Sequence, residues 1–267
     1  MGTAFLDDRG IVDVEGEEAR ALLQRLVTSD VLGLGAGEAR YAALLSPQGK
    51  ISFDFLIVDA TPAGGPDRFL LDSPLPLAAD LARRLTMYRL RAVVRIADRS
   101  GDLGVTVHWP EGPGARDPRH AELGTRAIGP RGTVDAAARR AYDAHRIALG
   151  VPEGGRDFAY GDAFPHDANL DRLGGVDFGK GCYVGQEVVS RVHHRGTARK
   201  RIVPVSFAGR APAQGSEIRV GEIAIGTMGS SVDERGLASV RTDRAAEAAA
   251  LGAPPIADGV HLALALS

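Results

Sequence analysis

The chain has 267 residues, 44% of them hydrophobic and 25% charged, with a formal net charge of −2. Such a composition is globular, long enough for two or three small domains, and excludes global disorder. The charge balance excludes wholesale attraction to nucleic acid or to an acidic membrane, and a single cysteine excludes an internal disulfide and a self-contained zinc or iron–sulfur site.

Residues 1–13 show no basic start followed by an apolar run, and no apolar stretch reaches membrane-spanning length, so a cytoplasmic location is expected. A short strand is predicted at 11–14. A helix follows near 17–28, where Ala19, Leu22, Leu23, Leu26 and Val27 recur at helical spacing and two acids suit the first turn. Residues 41–45 and 51–58 read as a hairpin around Ser46-Pro47-Gln48-Gly49. In its second strand Ile51, Phe53, Phe55 and Ile57 share one face, and Ser52, Asp54, Leu56 and Val58 the other. A turn-rich loop at 61–67 leads to a strand at 68–71 and a helix marked by Leu75, Ala78, Leu81, Ala82, Leu85 and Tyr88. Strands are predicted at 93–97 and 104–109, an exposed Pro/Gly-rich loop at 111–119, and a third helix at 134–149 with Thr133 as cap and Gly150 as stop. The pattern is irregular over 151–179, and a helix is preferred to a strand from Gly185 to Arg195. Beyond Gly196, short turn-bounded β segments at 202–207, 217–220, 223–228, 237–241 and 260–266 predict a small all-β module, a barrel or sandwich.

The run Lys180-Gly181-Cys182-Tyr183-Val184-Gly185-Gln186-Glu187 resembles the signature of the YgfZ-type folate-binding proteins, which are similar in fold to the T-protein of the glycine cleavage system. The likeness extends to Leu26-Val27-Thr28-Ser29-Asp30-Val31, to Tyr41 through Lys50, to Tyr88-Arg89-Leu90-Arg91, to Arg146-Ile147 with Gly150-Val151-Pro152-Glu153-Gly154, to Asn169-Leu170-Asp171 and to Ile225-Gly226-Thr227-Met228-Gly229-Ser230. One departure stands at Pro165-His166-Asp167, where the family usually has glutamate two residues after the proline. The resemblance implies an α+β protein of three small domains in a ring: 1–45 with 120–197, 46–119, and 198–267. Two would be α+β domains of ferredoxin-like type and the last a β-barrel. It also implies tetrahydrofolate or a derivative in a central channel, and a role in making or maintaining iron–sulfur clusters on other proteins. Client or assembly proteins are the expected partners of a monomer that engages no membrane and no RNA.

Cys182 is the central candidate. Gly181 and Gly185 bracket it in a backbone expected to turn sharply. Lys180 brings a positive charge, and a helix opening at Gly185 brings its N-terminus; these two effects favour thiolate, and Glu187 opposes them. A buried structural cysteine is the competing reading. Gln186 and Glu187 either satisfy helix-start amides or brace the cysteine loop; the alternative for Glu187 is to act on a proton. Asp54 corresponds to a catalytic aspartate of T-proteins, against the alternative of a solvent-facing strand residue. Arg146 and Arg91 suit the carboxylates of a folate tail, against a surface role. Tyr88 either stacks on a pterin or closes its helix's apolar face, and Asn169 and Tyr183 complete the expected folate contacts. The basic run Arg191, His193, His194, Arg195, Arg199, Lys200, Arg201 reads as a charged linker, a polyglutamate or acidic-partner site, or an RNA site, the last weakened by missing aromatic residues. His193 and His194 make no convincing metal pair, since adjacent residues splay apart on a helix. The enzymatic rival is a folate-dependent aminomethyltransferase or demethylase.

Overall fold

The computed structural model describes residues 1–196, 198–249 and 252–266. In chain order these form β1 (Gly2–Leu6), β2 (Arg9–Glu15), α1 (Ala19–Leu26), β3 (Ala39–Leu45), β4 (Ile51–Asp59), β5 (Arg68–Pro74), α2 (Leu75–Arg89), β6 (Arg95–Asp98), β7 (Leu103–Trp109), β8 (Ala115–Arg116), β9 (Thr125–Pro130) and α3 (Ala136–Ala148). A long segment without helix or strand leads to α4 (Gln186–Arg195). Then come β10 (Lys200–Phe207), β11 (Glu217–Val220), β12 (Ile223–Val232), β13 (Arg235–Arg241), α5 (Thr242–Ala249), β14 (Ile256–Ala257) and β15 (Val260–Leu264).

Three sheets result. Five strands in the order β3-β4-β5-β2-β6 form the first, four in the order β1-β7-β9-β8 the second, and β10-β13-β12-β11-β14-β15 close into a barrel. The expected α+β class with a C-terminal β-barrel is therefore the observed one. The domain boundary drawn at 45/46 falls inside the β3–β4 hairpin, whose strands pair from Ala39↔Val58 to Leu45↔Ile51. Strand pairing groups residues 9–98 on the first sheet, and 2–6 with 103–130 on the second. The chain thus crosses between sheets immediately after its first strand, a step that local pattern does not encode.

Alternation on β4 sends Phe53, Phe55 and Ile57 into the core under α1 and α2, with Leu22, Leu23, Leu81 and Leu85. Leu56 faces a second core with Tyr41, Phe158, Leu170, Tyr183 and Val189, supplied mostly by the irregular segment. Ile51 joins that second core because the register shifts between Leu44 and Leu45. The acids expected in α1's first turn lie outside it: the helix starts at Ala19, and the Glu18 carboxylate accepts from Val93 N at 2.6 Å. The cap of α3 is Asp135, not Thr133; its carboxylate accepts from the amides of Ala137 and Ala138. The loop after Trp109 is only partly exposed. Its Asp117 and Arg119 are buried and join Arg126, Asp72 and Arg9 in a chain of ion pairs between the first two sheets. Burial pushes the Asp117 carboxyl up, but Arg119 and Arg126 outweigh it and bring it down to about 2. Strands β1 and β9 and helix α5 had no counterpart in the sequence reading. The alanine-rich α5 packs Ala245 and Ala248 against the barrel core.

Candidate functional site

The thiol sits on a loop braced from both sides. Upstream, the Asp177 carboxylate accepts from the amides of Gly179 (2.7 Å) and Lys180 (3.1 Å), and Asp177 N donates to Thr28 O at 2.9 Å. Thr28 Oγ1 donates to Gly175 O and accepts from Ala43 N, so the end of α1, β3 and this loop share one side chain. Lys180 Nζ donates to the carbonyls of Gln24 (2.7 Å), Val27 (2.6 Å) and Ser29 (3.0 Å). These are carbonyls at the C-terminal end of α1, where a cation is favoured. The stretch from Gln24 to Ser29 is thereby the socket into which Lys180 plugs. Burial lowers the Lys180 ammonium to about 8, against Asp30 and Asp177. The charge expected to serve the thiol is thus committed to helix carbonyls.

Downstream, Gln186 N donates to Tyr183 O at 3.3 Å and Tyr183 N donates to Gln186 Oε1 at 3.4 Å. Of the readings open for Gln186, the structure selects bracing of the loop. Tyr183 is buried, under the Lys180 ammonium at 5.3 Å, and burial pushes its hydroxyl up to about 12. Gly185 takes φ +79 and packs on the β3–β4 turn, whereas Gly181 has open space around it and no left-handed φ. Only one of the two expected sharp positions is therefore sharp. Glu187 is solvent-exposed and pairs with Arg191 at 3.0 Å, one turn along α4. Between these braces Cys182 is free and exposed, which overturns the buried-cysteine reading.

Asp54 is buried rather than solvent-facing. One carboxylate oxygen accepts from Tyr41 Oη at 2.8 Å and the other from Tyr160 Oη. Burial first, then the Asp54 charge, raises both phenols far above their ordinary range. Above this triad lies a cavity of about 330 Å³, with Pro74, Pro76 and Leu77 on one wall and Arg9, Glu153 and Tyr160 on another. Gly154 lies against the triad: a Cβ there would stand 2.0 Å from Tyr160 Oη and 2.9 Å from Asp54 Oδ1. Tyr88, Arg91, Arg146, Asn169 and Tyr183 do not line this cavity. Tyr88 closes the apolar face of α2 against the first core, the structural alternative weighed for it. Arg91 is exposed just beyond α2. Arg146 is no surface residue and no free anchor. It is fully buried, bonded to Asp143, Val151 O, Asp157 and Ser230 Oγ. Asn169 Nδ2 donates to Ile202 O at 2.7 Å and ties the irregular segment to the barrel.

Sequence reading missed Tyr160, Arg9 and Glu153 as neighbours of Asp54. The available signal was Asp54 itself, since a carboxylate on a buried face requires donors from elsewhere in the chain. It also missed His166, which is 2% exposed with no partner for either ring nitrogen among the described residues. Asp167, the candidate stand-in for the usual glutamate, accepts from Phe164 N at 3.0 Å. Burial holds His166 below the ordinary imidazole value; Arg201 and His193 add to this and Asp171 opposes it. An unfolded histidine takes up its proton near pH 6.5. The folded ring resists it, so this contribution to stability is complete above about pH 6.5 and is lost as pH falls below it. Urea midpoints should fall between pH 7 and pH 5.5, and His166→Phe should flatten that fall.

This architecture is that of a T-protein-like fold ending in a closed barrel. Over 98% of this chain and 84% of the other, it superposes with a TM-score of 0.77 on the crystal structure of glycine cleavage system aminomethyltransferase T from Bartonella henselae, at 17% identity. Residues 199–266 match the family model of the CAF17 C-terminal beta-barrel domain. Among curated relatives, the iron-sulfur cluster assembly factor IBA57 homolog, mitochondrial, of Mycosarcoma maydis is 37% identical over 78% of this chain and 58% of its own length. The Neurospora crassa homolog is 30% identical over 79% and 55%. The human IBA57 protein is 32% identical over 79% and 67%. The chain therefore spans under three fifths of the two fungal proteins and about two thirds of the human one. It belongs to the IBA57 family.

Proposed function

We propose that this chain is an accessory factor for synthesis or repair of iron–sulfur clusters, and that Cys182 is its working thiol. The observation that carries the proposal is an exposed cysteine on a loop held at Lys180 and at Gln186, in a chain related to iron–sulfur cluster assembly factors. One thiolate supplies one ligand, so the remaining ligands of a cluster come from a client or assembly protein or from a small thiol. Cys182→Ala should leave stability within about 0.5 kcal/mol of wild type, as expected of an exposed side chain. It should strongly reduce the activity of cluster-dependent enzymes in cells lacking the natural protein. Full activity in that variant sinks the proposal.

Tetrahydrofolate or a derivative is the second half of the proposal, in line with the YgfZ-type resemblance. The cavity beside Tyr160 suits the heterocycle: its volume lies at the small end of ligand pockets, Pro74, Pro76 and Leu77 in its lining suit an aromatic face, and Glu153 and Arg156, paired with each other at 2.9 Å, bring polar groups to it. Reduced folates carry one-carbon units. Asp54 is already occupied by two phenolic hydroxyls, which supports a binding role over aminomethyl transfer. Calorimetric titration with tetrahydrofolate should show saturable binding that Leu77→Glu abolishes and Cys182→Ala preserves. No saturable heat in wild type overturns the folate half alone. The expected cytoplasmic location belongs to the same proposal and is checked by cell fractionation of a tagged chain.

A further inference from the structure

A second cleft runs between α4 and the start of β10. It comprises two cavities of about 270 and 350 Å³ that share His166, Val192 and Ala198 as lining. Among the described residues four buried side-chain polar atoms have no partner, and three of them lie at His166 Nδ1, His166 Nε2 and Asn169 Oδ1. Leaving such atoms unmet costs about 1–3 kcal/mol each, and His166, which carries two of them, lines both cavities, which points to something that enters the cleft. Cationic side chains outnumber carboxylates in the lining. Arg201 is already held by Asp171 (2.7 and 3.0 Å) and by His166 O (2.8 Å), which fixes the histidine backbone. Lys200 makes no ion pair within 4 Å among the described residues, and its charge acts on Asp167, which lines the same cavity. At the cleft's outer edge His193 stacks on Phe178 with ring centroids 3.7 Å apart, four residues before Cys182.

We propose that this cleft binds a small phosphate-type anion, with a ring nitrogen of His166 donating to it and Lys200 supplying the charge. A neutral imidazole has one N–H donor; that donor meets a phosphate oxygen, and the second nitrogen is left to an ordered water. Lysine is a mobile point charge suited to phosphate. The residues are distinct from the Asp54 cavity and from Cys182, so the proposal stands apart from the folate and cluster readings. Inorganic phosphate and phenyl phosphate are added separately to the full chain in chloride buffer, with the histidine ring signals followed by NMR. Expected is saturable movement of the His166 signals with Kd below about 1 mM, weakened roughly tenfold by Lys200→Gln; in His166→Phe the neighbouring His193 signals, which line the same cleft, should no longer move. Tighter binding of phenyl phosphate identifies a phosphate ester as the ligand; equal binding identifies free phosphate. Unmoved His166 signals in wild type overturn the proposal whatever the stability of His166→Phe. So does unsaturated binding at roughly 10 mM, which is an adventitious ion only. Equal affinity in wild type and Lys200→Gln also overturns it.

Discussion

Replacing Arg146 with alanine should lower the unfolding free energy by about 3–5 kcal/mol. The guanidinium is fully buried and holds Asp143, Asp157, Ser230 and the Val151 carbonyl, with Glu153 at 3.5 Å. Its pKa stays raised despite burial because Glu153, Asp157 and Asp143 surround it. Removing it takes the cation from Asp157, a fully buried carboxylate then held only by Glu153 N, Ser230 N and Ser230 Oγ, and leaves the Ser230 hydroxyl without its donor. Ser230 lies on β12, so the loss also loosens the barrel from α3, whose Ile147 packs on Ile202 and Leu237. A chain of this size loses roughly 2–4 °C of melting temperature per kcal/mol, so differential scanning calorimetry should record a fall of about 6–20 °C. Arg146→Lys should recover only part of it, because one ammonium cannot reproduce a fork that reaches several acceptors. Wild-type melting in Arg146→Ala would falsify the structural role and reopen Arg146 as a ligand anchor.

Arg146 also marks where sequence reading reaches its limit. An arginine beside a helix end looks alike whether it anchors a ligand or a neighbouring domain, since both tasks require a guanidinium facing carboxylates. The carboxylates here come from residues 143, 153 and 157 and the hydroxyl from 230; no periodicity links the barrel residue to the helix. The hairpin at Tyr41–Lys50, the helix α4 and most barrel strands were legible because each is specified by local alternation and turn residues. Cys182 stood out as a candidate because it is unique and sits in a glycine-bracketed run; that it is exposed is what the structure adds. The role of Lys180 was not, because its acceptors are backbone carbonyls more than 150 residues earlier. Carbonyls carry no residue identity that a sequence displays. Asp54 was found from its position on β4, but its partner Tyr160 comes from a segment with no regular structure, and so the closed triad had no local signal. His166 was visible only as the neighbour of Asp167, where the motif departs, and its burial follows from packing of that same irregular segment.

The two glycines around Cys182 should separate sharply. Gly185→Ala should destabilise the chain by about 2–4 kcal/mol, whereas Gly181→Ala should stay within about 0.5 kcal/mol. Gly185 has φ +79, a left-handed conformation that costs an alanine about 1–2 kcal/mol. A Cβ there also stands 2.5 Å from Ser46 O, the carbonyl that accepts from Gly49 N in the β3–β4 turn, and 3.0 Å from Gly49 Cα. Backbone on both sides cannot yield as a flexible side chain does, so the start of α4 must lift from the hairpin. Lifting it strains the Tyr183–Gln186 pair that forms the downstream brace of the thiol loop. Gly181 has nothing within 4 Å of its Cβ position, and its added methyl meets solvent. Thiol-reagent kinetics on the folded variants provide the second readout. Gly185→Ala should change the reaction rate of Cys182 and reduce cluster-dependent enzyme activity in cells, and Gly181→Ala should alter neither. If Gly185→Ala matches wild type in stability and in cells, the downstream brace does not position the thiol, and the case for Cys182 rests on exposure and the Lys180 socket alone.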